Sequence, residues 1–324
     1  MSIRYMQKND IMFSVVIPLY NKADTVARTL ESVVAQTYKN FEVVIVDDGS
    51  TDDGVVVAGR FKGELRLKVV RQNNAGVSVA RNTGAQHAKA PYLAFLDADD
   101  EWLPGYLEEI NQMIEGFPDA EVYGTNYYCV TSRSLICNRA WGKTRKLIDF
   151  NDAWVRRCPI HTSSSVVRKD AFTAIGGFVP GHKYYEDAEL LFKLSDRGKF
   201  CVSSIPLLRY NTDATIRATG EEQPIGKYAH WIYFEEVLSR TEKSTKAIRA
   251  IKAEVLQKLT WNFLRNRIDL SQQIVDRYPL MFEASGEIGA WLLDRRNCLA
   301  WIVALSRRVM TFINCRIYAK ISKR

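Results

Sequence analysis

Long hydrophobic runs are missing from this chain. No stretch of its 324 residues approaches the roughly 18–20 apolar residues that a membrane-spanning helix needs. Asn297–Ser306, uncharged and near the C-terminus, reaches about half that length, so a membrane-crossing chain is not expected. The N-terminal stretch MSIRYMQKNDIMF lacks the apolar core of a secretory signal. Cysteine is sparse: the six present form no CxxC pair and no regular spacing, and they read as reduced thiols of a cytoplasmic protein. Internal repeats and low-complexity segments are absent too. A composition of 47% hydrophobic and 25% charged residues argues against wholesale disorder.

Excess charge is missing from most of the chain. The formal net charge is +8, yet residues 289–324 hold eight Lys/Arg against the single acid Asp294, so the body is close to neutral. In that tail Trp291, Leu299, Trp301, Leu305, Val309 and Phe312 recur at helical spacing between Arg pairs, the pattern of a basic amphipathic helix or helix pair. Two readings stay open: contact with an anionic membrane surface, or a helical subdomain whose Arg face is solvated. No nucleic-acid partner is expected, because the basic residues alternate with large aliphatics and no nucleic-acid module is recognised.

What is present is alternation. FSVVIPLY (13–20), FEVVIVDDGS (41–50), RLKVVRQ (66–72) and PYLAFLDADD (91–100) read as strands. Helical segments are expected between them, over 23–36, about 52–62 and 75–88. Strands alternating with helices argue for a parallel sheet covered on both faces, and continuous apolar strands fit that burial. A helix after Pro104 to about 116, a strand near 120–124, a helix over 184–198 and short strands near 200–203 and 207–210 complete this part. The segment 125–180 is less regular, and from Gly220 the pattern turns helical.

In open sheets of this kind ligands bind beyond the carboxyl ends of the strands. Asp47–Asp48 and Asp97–Asp99 fall there. The FLDADD stretch (95–100) crowds three carboxylates, a pattern that suits a hard divalent ion and equally a solvated surface turn. In haloacid-dehalogenase-like phosphatases a strand ends in DxDx(T/V). Here Glu101 takes the Thr/Val position, and the motif closes the fourth strand. Taken alone, DDGS reads as an Asx-capped turn, and Glu186, Asp187 and Glu189 read as acids complementing a helix N-terminus.

Taken in order, VVIPLYNK (15–22), VVIVDDGSTDD (43–53), NNAGVSVARNTG (73–84), FLDADD (95–100) and GGF…YYED (176–187) resemble the family 2 glycosyltransferases. These are inverting enzymes of the GT-A fold, and the likeness is to the bacterial surface-polysaccharide type, over roughly 13–215. The resemblance implies a Rossmann-like mixed sheet with helices on both faces, followed by a helical C-terminal region. It divides the chain into a lead-in (1–12), a nucleotide-sugar-binding and catalytic domain (13–219), and a helical region with the basic tail (220–324).

It also implies roles. Pro18 and Tyr20 would line the nucleoside pocket. Asp48, with Asp47 beside it, would accept from the uracil imide N–H. Gly76 would allow close backbone approach, and Arg81 would pair with the diphosphate. Asp97 would serve the ribose hydroxyls or the ion's surroundings, and Asp99 would ligate Mn²⁺ or Mg²⁺. Asp187 would be the base of an in-line displacement. Asp100 is assigned no certain part.

The pattern departs at LLRYNTDATIRATG (207–220): Asn211 and Asp213 stand where the family often carries a His, which leaves a third metal ligand unassigned. His161 and His182 lie near the acceptor side. The implied activity is transfer from a UDP-sugar to a lipid-linked saccharide acceptor at the inner face of the cell membrane. The competing readings are a non-catalytic nucleotide-sugar or saccharide-binding protein on the same fold and, less favoured, a metal-dependent phosphatase.

Overall fold

The computed structural model describes residues 12–131, 134–137, 145–155, 160–182, 184–212, 229–240, 245–264 and 276–280. The lead-in to residue 11, Asp213 and the tail at 289–324 lie outside them. Strands β1 (Phe13–Leu19), β2 (Phe41–Asp47), β3 (Leu67–Arg71) and β4 (Tyr92–Phe95) pair in parallel in the order β3-β2-β1-β4. Every residue of β2, and all of β1 except Pro18, is buried, which is why these strands read as unbroken apolar runs.

Helices cover both faces. Val15, Ile17, Leu19, Val43 and Ile45 join one core with Val26, Leu30 and Val33 of α1 (Val26–Val34) and Ile110 and Met113 of α4 (Tyr106–Gly116). On the other face Val44 and Val46 pack with Ala80 of α3 (Val77–His87). Gly84 lets α3 approach closely: a Cβ there would lie 2.3 Å from Val16 Cγ1. Full burial of each such aliphatic side chain contributes roughly 1.5–3 kcal/mol.

The second half makes the sheet mixed, as the family resemblance implies and the alternation alone does not. β9 (Ser165–Arg168) enters antiparallel between β4 and β6 (Val122–Thr131). β10 (Phe200–Asn211) runs parallel to β6, and the order closes as β4-β9-β6-β10-β5. β7 (Ser134–Cys137) and β8 (Arg145–Ile148) add to β6 and β10. The segment expected to be irregular thus holds strands as well as α5 (Phe150–Val155) and α6 (Lys169–Ala174).

Three boundaries differ from expectation. β4 stops at Phe95: Leu96 N–H makes a last bond to Val16 O, and Asp100 N–H then turns back onto Asp97 O at 3.1 Å. The acids therefore form a turn, and β5 (Glu101–Trp102) pairs antiparallel with β10. The two short strands expected at 200–203 and 207–210 are one strand with register shifts around Pro206, which has no N–H for the ladder. The helix expected over 52–62 is α2 (Gly54–Gly59) followed by a 3₁₀ turn at Arg60–Gly63, the two glycines weakening a continuous helix. α7 (Glu186–Ser195) falls inside its expected span.

By its internal contacts the chain divides into two compact units. One is Met1–Ala153 with Arg157–Glu221, and the other is Glu222–Arg324 with Trp154–Arg156. In the second, α8 (Ala229–Ser239) buries Trp231, Tyr233, Phe234 and Val237, and α9 (Thr245–Leu264) buries Ile251, Val255 and Leu259. Glu254 joins this interior, accepting from Trp154 Nε1 at 3.1 Å and lying 3.3 Å from His230 Nε2. Among the described residues, no helix is long and apolar enough to cross a membrane.

Candidate active site

The candidate residues gather at one edge of the sheet, where β1, β2 and β4 end, β9 begins and β10 finishes. At the exit of β1, Pro18 pairs with Val46, and Tyr20 is 43% exposed. At the exit of β2, Asp48 is buried and its carboxylate is heavily used. Oδ1 accepts from Gln72 Nε2 at 2.7 Å and Ala75 N–H at 2.8 Å, and Oδ2 accepts from Gly76 N–H at 2.8 Å. These bonds fix the loop before α3, where Gly76 takes φ 90° and ψ 163°, a conformation open essentially to glycine. Asp48 has about four lone-pair sites, so one stays available for a further donor. Asp47 accepts from Ser50 N–H at 3.0 Å, the Asx turn expected of DDGS, and its Oδ2 lies 3.5 Å from Arg71 Nε.

The acidic turn after β4 sorts its three carboxylates. Asp97 takes Arg81, with NH2 to Oδ1 at 2.7 Å, and the guanidinium holds its carboxyl below the usual range despite burial. Asp99 takes Lys22, whose Nζ donates to Oδ2 at 2.6 Å. Asp100 is turned wholly inward. It accepts from Ser163 Oγ at 2.6 Å and from Asn211 N–H at 3.0 Å. Burial, with Asp97 and Asp99 nearby, holds its carboxyl well above the usual range. The crowding of like charge is therefore relieved by two cations and one inward carboxyl, all from the chain itself.

Arg81 differs most from its expected part. Its side chain is only 4% exposed, and its second terminal nitrogen donates to Glu186 Oε1 at 2.9 Å. The guanidinium expected to meet the diphosphate instead joins two acids of the protein, 5.2 Å over the Phe178 ring. The next residue, Asn82, clamps the GGF turn by donating to Phe178 O at 2.7 Å and accepting Phe178 N–H at 3.0 Å. Gly177 sits at φ 71°, and a Cβ there would lie 2.6 Å from Asn82 Oδ1.

Beyond Glu186 comes Asp187, in the first turn of α7. It accepts from Thr162 Oγ1 at 2.9 Å and from Ala188 N–H at 2.8 Å. The residue before this pair, Tyr185, is held at φ 61° and ψ 25°, a left-handed backbone rare for a non-glycine and common at functional sites. Burial and the neighbouring Asp187 push Glu186 up to about 7, outweighing Arg81.

His161 lies among these groups. Its ring lies 4.1 Å from that of Tyr210, tilted by 37°, and Nδ1 accepts from Ser163 N–H at 3.2 Å, so the proton of the neutral ring belongs on Nε2. Burial lowers its pKa. His182 instead pairs with Glu189 at 2.6 Å, which also holds Lys193 at 2.7 Å. Asn211, at the position where a His was sought, donates to Asp99 O at 2.8 Å and bonds Asp100. It fixes the turn rather than offering a ligand.

Sequence reasoning assigned no role to Lys22, Asn82, Thr162 or Ser163. Thr162 and Ser163 belong to the small-residue cluster HTSSSVV (161–167), whose use is tertiary: Ser163 also accepts Asp97 N–H at 3.2 Å, and its carbonyl receives Trp102 Nε1 at 2.6 Å. Among the described residues no group of three or more His, Cys, Asp or Glu side chains is gathered as a metal site. Asp100 is buried, Asp97 is held by Arg81 and Asp99 by Lys22. One carboxylate with phosphate oxygens is a donor set that suits Mg²⁺ or Mn²⁺.

A mixed sheet with an acidic turn at the strand ends, facing a carboxylate on a helix start, is the layout of a GT-A-type protein. S. aureus TarS (residues 1–349, in complex with UDP-GlcNAc) matches with a TM-score of 0.67 at 19% identity, over 88% of this chain and 82% of that one. The Glycosyl transferase family 2 model matches residues 14–176, and the chain belongs to that family. An uncharacterised glycosyltransferase of Haemophilus influenzae is 30% identical over 290 residues, 87% of this chain and 89% of its own. The amylovoran biosynthesis glycosyltransferase AmsB of Erwinia amylovora is 44% identical over 113 residues, 33% of this chain and 36% of its own. Against four further curated relatives the chain spans 15% to 32% of their length.

Proposed function

We propose that this chain is an inverting glycosyltransferase that moves a sugar from a UDP-sugar to a lipid-linked saccharide acceptor in bacterial surface-polysaccharide assembly. The observation that carries this reading is the bridge Asp97–Arg81–Glu186. It ties the acidic turn to the start of α7, where Asp187 follows Glu186. The UDP-sugar donor is supported by the fold shared with TarS, whose complexes hold UDP-GlcNAc and UDP. A role in polysaccharide assembly is supported by the likeness to AmsB.

In this reading Tyr20 and Asp48 receive the nucleoside. Asp187, its carboxylate oriented by Thr162 and Ala188 N–H, takes the proton of the acceptor hydroxyl as its oxygen attacks the anomeric carbon. Mn²⁺ or Mg²⁺, held by Asp99 with Asp97 in support, would supply charge stabilisation for the departing diphosphate. The protein works in the cytoplasm. Its basic tail, which lies outside the described residues, rests on the anionic inner face of the membrane. A screen of nucleotide-sugars for UDP release, with and without divalent ion and lipid-linked acceptor, tests this. Acceptor-dependent, metal-dependent release from a UDP-sugar is expected; release of inorganic phosphate without an acceptor would contradict it.

A further inference from the structure

The Lys22–Asp99 contact joins a cation to the very carboxylate assigned to the metal. Lys22 Nζ sits 2.6 Å from Oδ2, with both side chains under one-fifth exposed. It also lies close enough to help hold the Asp97 carboxyl low. Around it the backbone is fixed by bonds that use neither of these two charged ends. Asn21, at φ 50°, donates its N–H to Ser50 Oγ at 3.2 Å and accepts from Thr51 N–H at 2.9 Å. Ala23 N–H bonds Asp52 Oδ2 at 2.8 Å, and Lys22 O accepts from Thr25 and Val26. On the other side, Asp99 O receives both Arg28 NH2 and Asn211 Nδ2. Two anchored backbones thus face each other across one long, flexible ammonium stem.

We infer that Lys22 is an exchangeable cation of the site: it neutralises Asp99 before donor binding and moves to the diphosphate oxygens when a divalent ion takes the carboxylate. The inference rests on the donor reading given above. Charge dictates the exchange. An ammonium and a divalent ion compete for one carboxylate, so Lys22 opposes binding of the ion by itself. A nucleotide diphosphate brings new oxygens within reach of the stem, and the displaced ammonium gains a charge-assisted bond there. The diphosphate gains negative charge when the sugar leaves, so the same ammonium stabilises the departing group. Lys22 therefore makes ion and nucleotide bind together and not separately.

The test compares native full-length chain with Lys22→Met and Lys22→Arg. Mn²⁺ affinity is measured by electron paramagnetic resonance without nucleotide, and UDP affinity by calorimetry at saturating Mn²⁺. Lys22→Met should bind Mn²⁺ alone roughly tenfold more tightly and UDP roughly tenfold more weakly, the scale of one charge-assisted hydrogen bond. Lys22→Arg should keep most of both native values. Unchanged affinities in Lys22→Met, or a parallel loss of both, would overturn the inference. Failure of the native chain to take up Mn²⁺ even with UDP would remove the metal reading itself and the inference with it, and the native protein alone reveals that outcome.

Discussion

Residues 13–100 and residues 122–211 contribute to one sheet and one site, but they hold their functional groups by different means. In the first, the acids at the end of β2 are fixed by short loops and backbone donors: Asp48 gathers Ala75 and Gly76 N–H, and Asp47 gathers Ser50 N–H. In the second, side chains distant in sequence fix one another. Thr162 holds Asp187, and Ser163 and Glu186 bind Asp100 and Arg81 of the other half. A parallel α/β half can position a nucleotide with its own turns. The half that carries Asp187, the proposed base, depends on long-range contacts, and Arg81 is where the two depend on each other.

The most damaging way to break that dependence is Arg81→Met. It leaves two half-buried carboxylates, Asp97 and Glu186, without their cation, a loss of about 3 kcal/mol or more. At roughly 2–4 °C per kcal/mol, Tm should fall by on the order of 10 °C in a calorimetric scan. A shift of only a degree or two would mean that the halves are held by other contacts.

Glu186→Gln tests the same bridge from the other end. Glu186 titrates near 7 in the fold against an ordinary value of 4.5, so the folded state keeps a proton that the unfolded state has lost. Its contribution to stability is full below pH 4.5 and disappears as pH rises through 7, by up to about 3 kcal/mol. Asp100, whose carboxyl is also raised, and His161, whose pKa is lowered, remain in both proteins and cancel in the comparison. Between pH 4.5 and 7 the native Tm should fall relative to that of Glu186→Gln; parallel curves would refute the assignment.

Thr162→Val acts more gently, because one hydrogen bond to Asp187 is lost at nearly constant volume. About 1–1.5 kcal/mol of orientation should appear as a roughly tenfold lower kcat with an unchanged KM for the donor. Thr162→Ser should restore most of it. A change in donor KM instead would place Thr162 on the nucleotide side.

Legibility follows the same division. β1, β2 and α1 could be read because their burial is periodic and local, and the acidic turn because carboxylates crowd where a strand ends. The end of β4 could not be read, since nothing in YLAFLDADD marks where pairing with β1 gives way to a turn. The single strand β10 was obscured by Pro206. The left-handed backbone at Tyr185 has no signature in a tyrosine, and Lys22 and Arg81 look like surface cations until the acids they neutralise are placed beside them. Motif order picked out residues that gather at one sheet edge, but their partners there are contacts between residues 77 and 105 positions apart, which leave no pattern along the chain.

Asp187 is proposed as the base for a displacement whose donor is held by the other half. Asp187→Asn, assayed for sugar transfer and separately for UDP binding, tests it most directly. Transfer should slow by roughly 10²–10⁴-fold, the scale of lost general base catalysis, with UDP affinity unchanged. Transfer at the native rate in Asp187→Asn would contradict it.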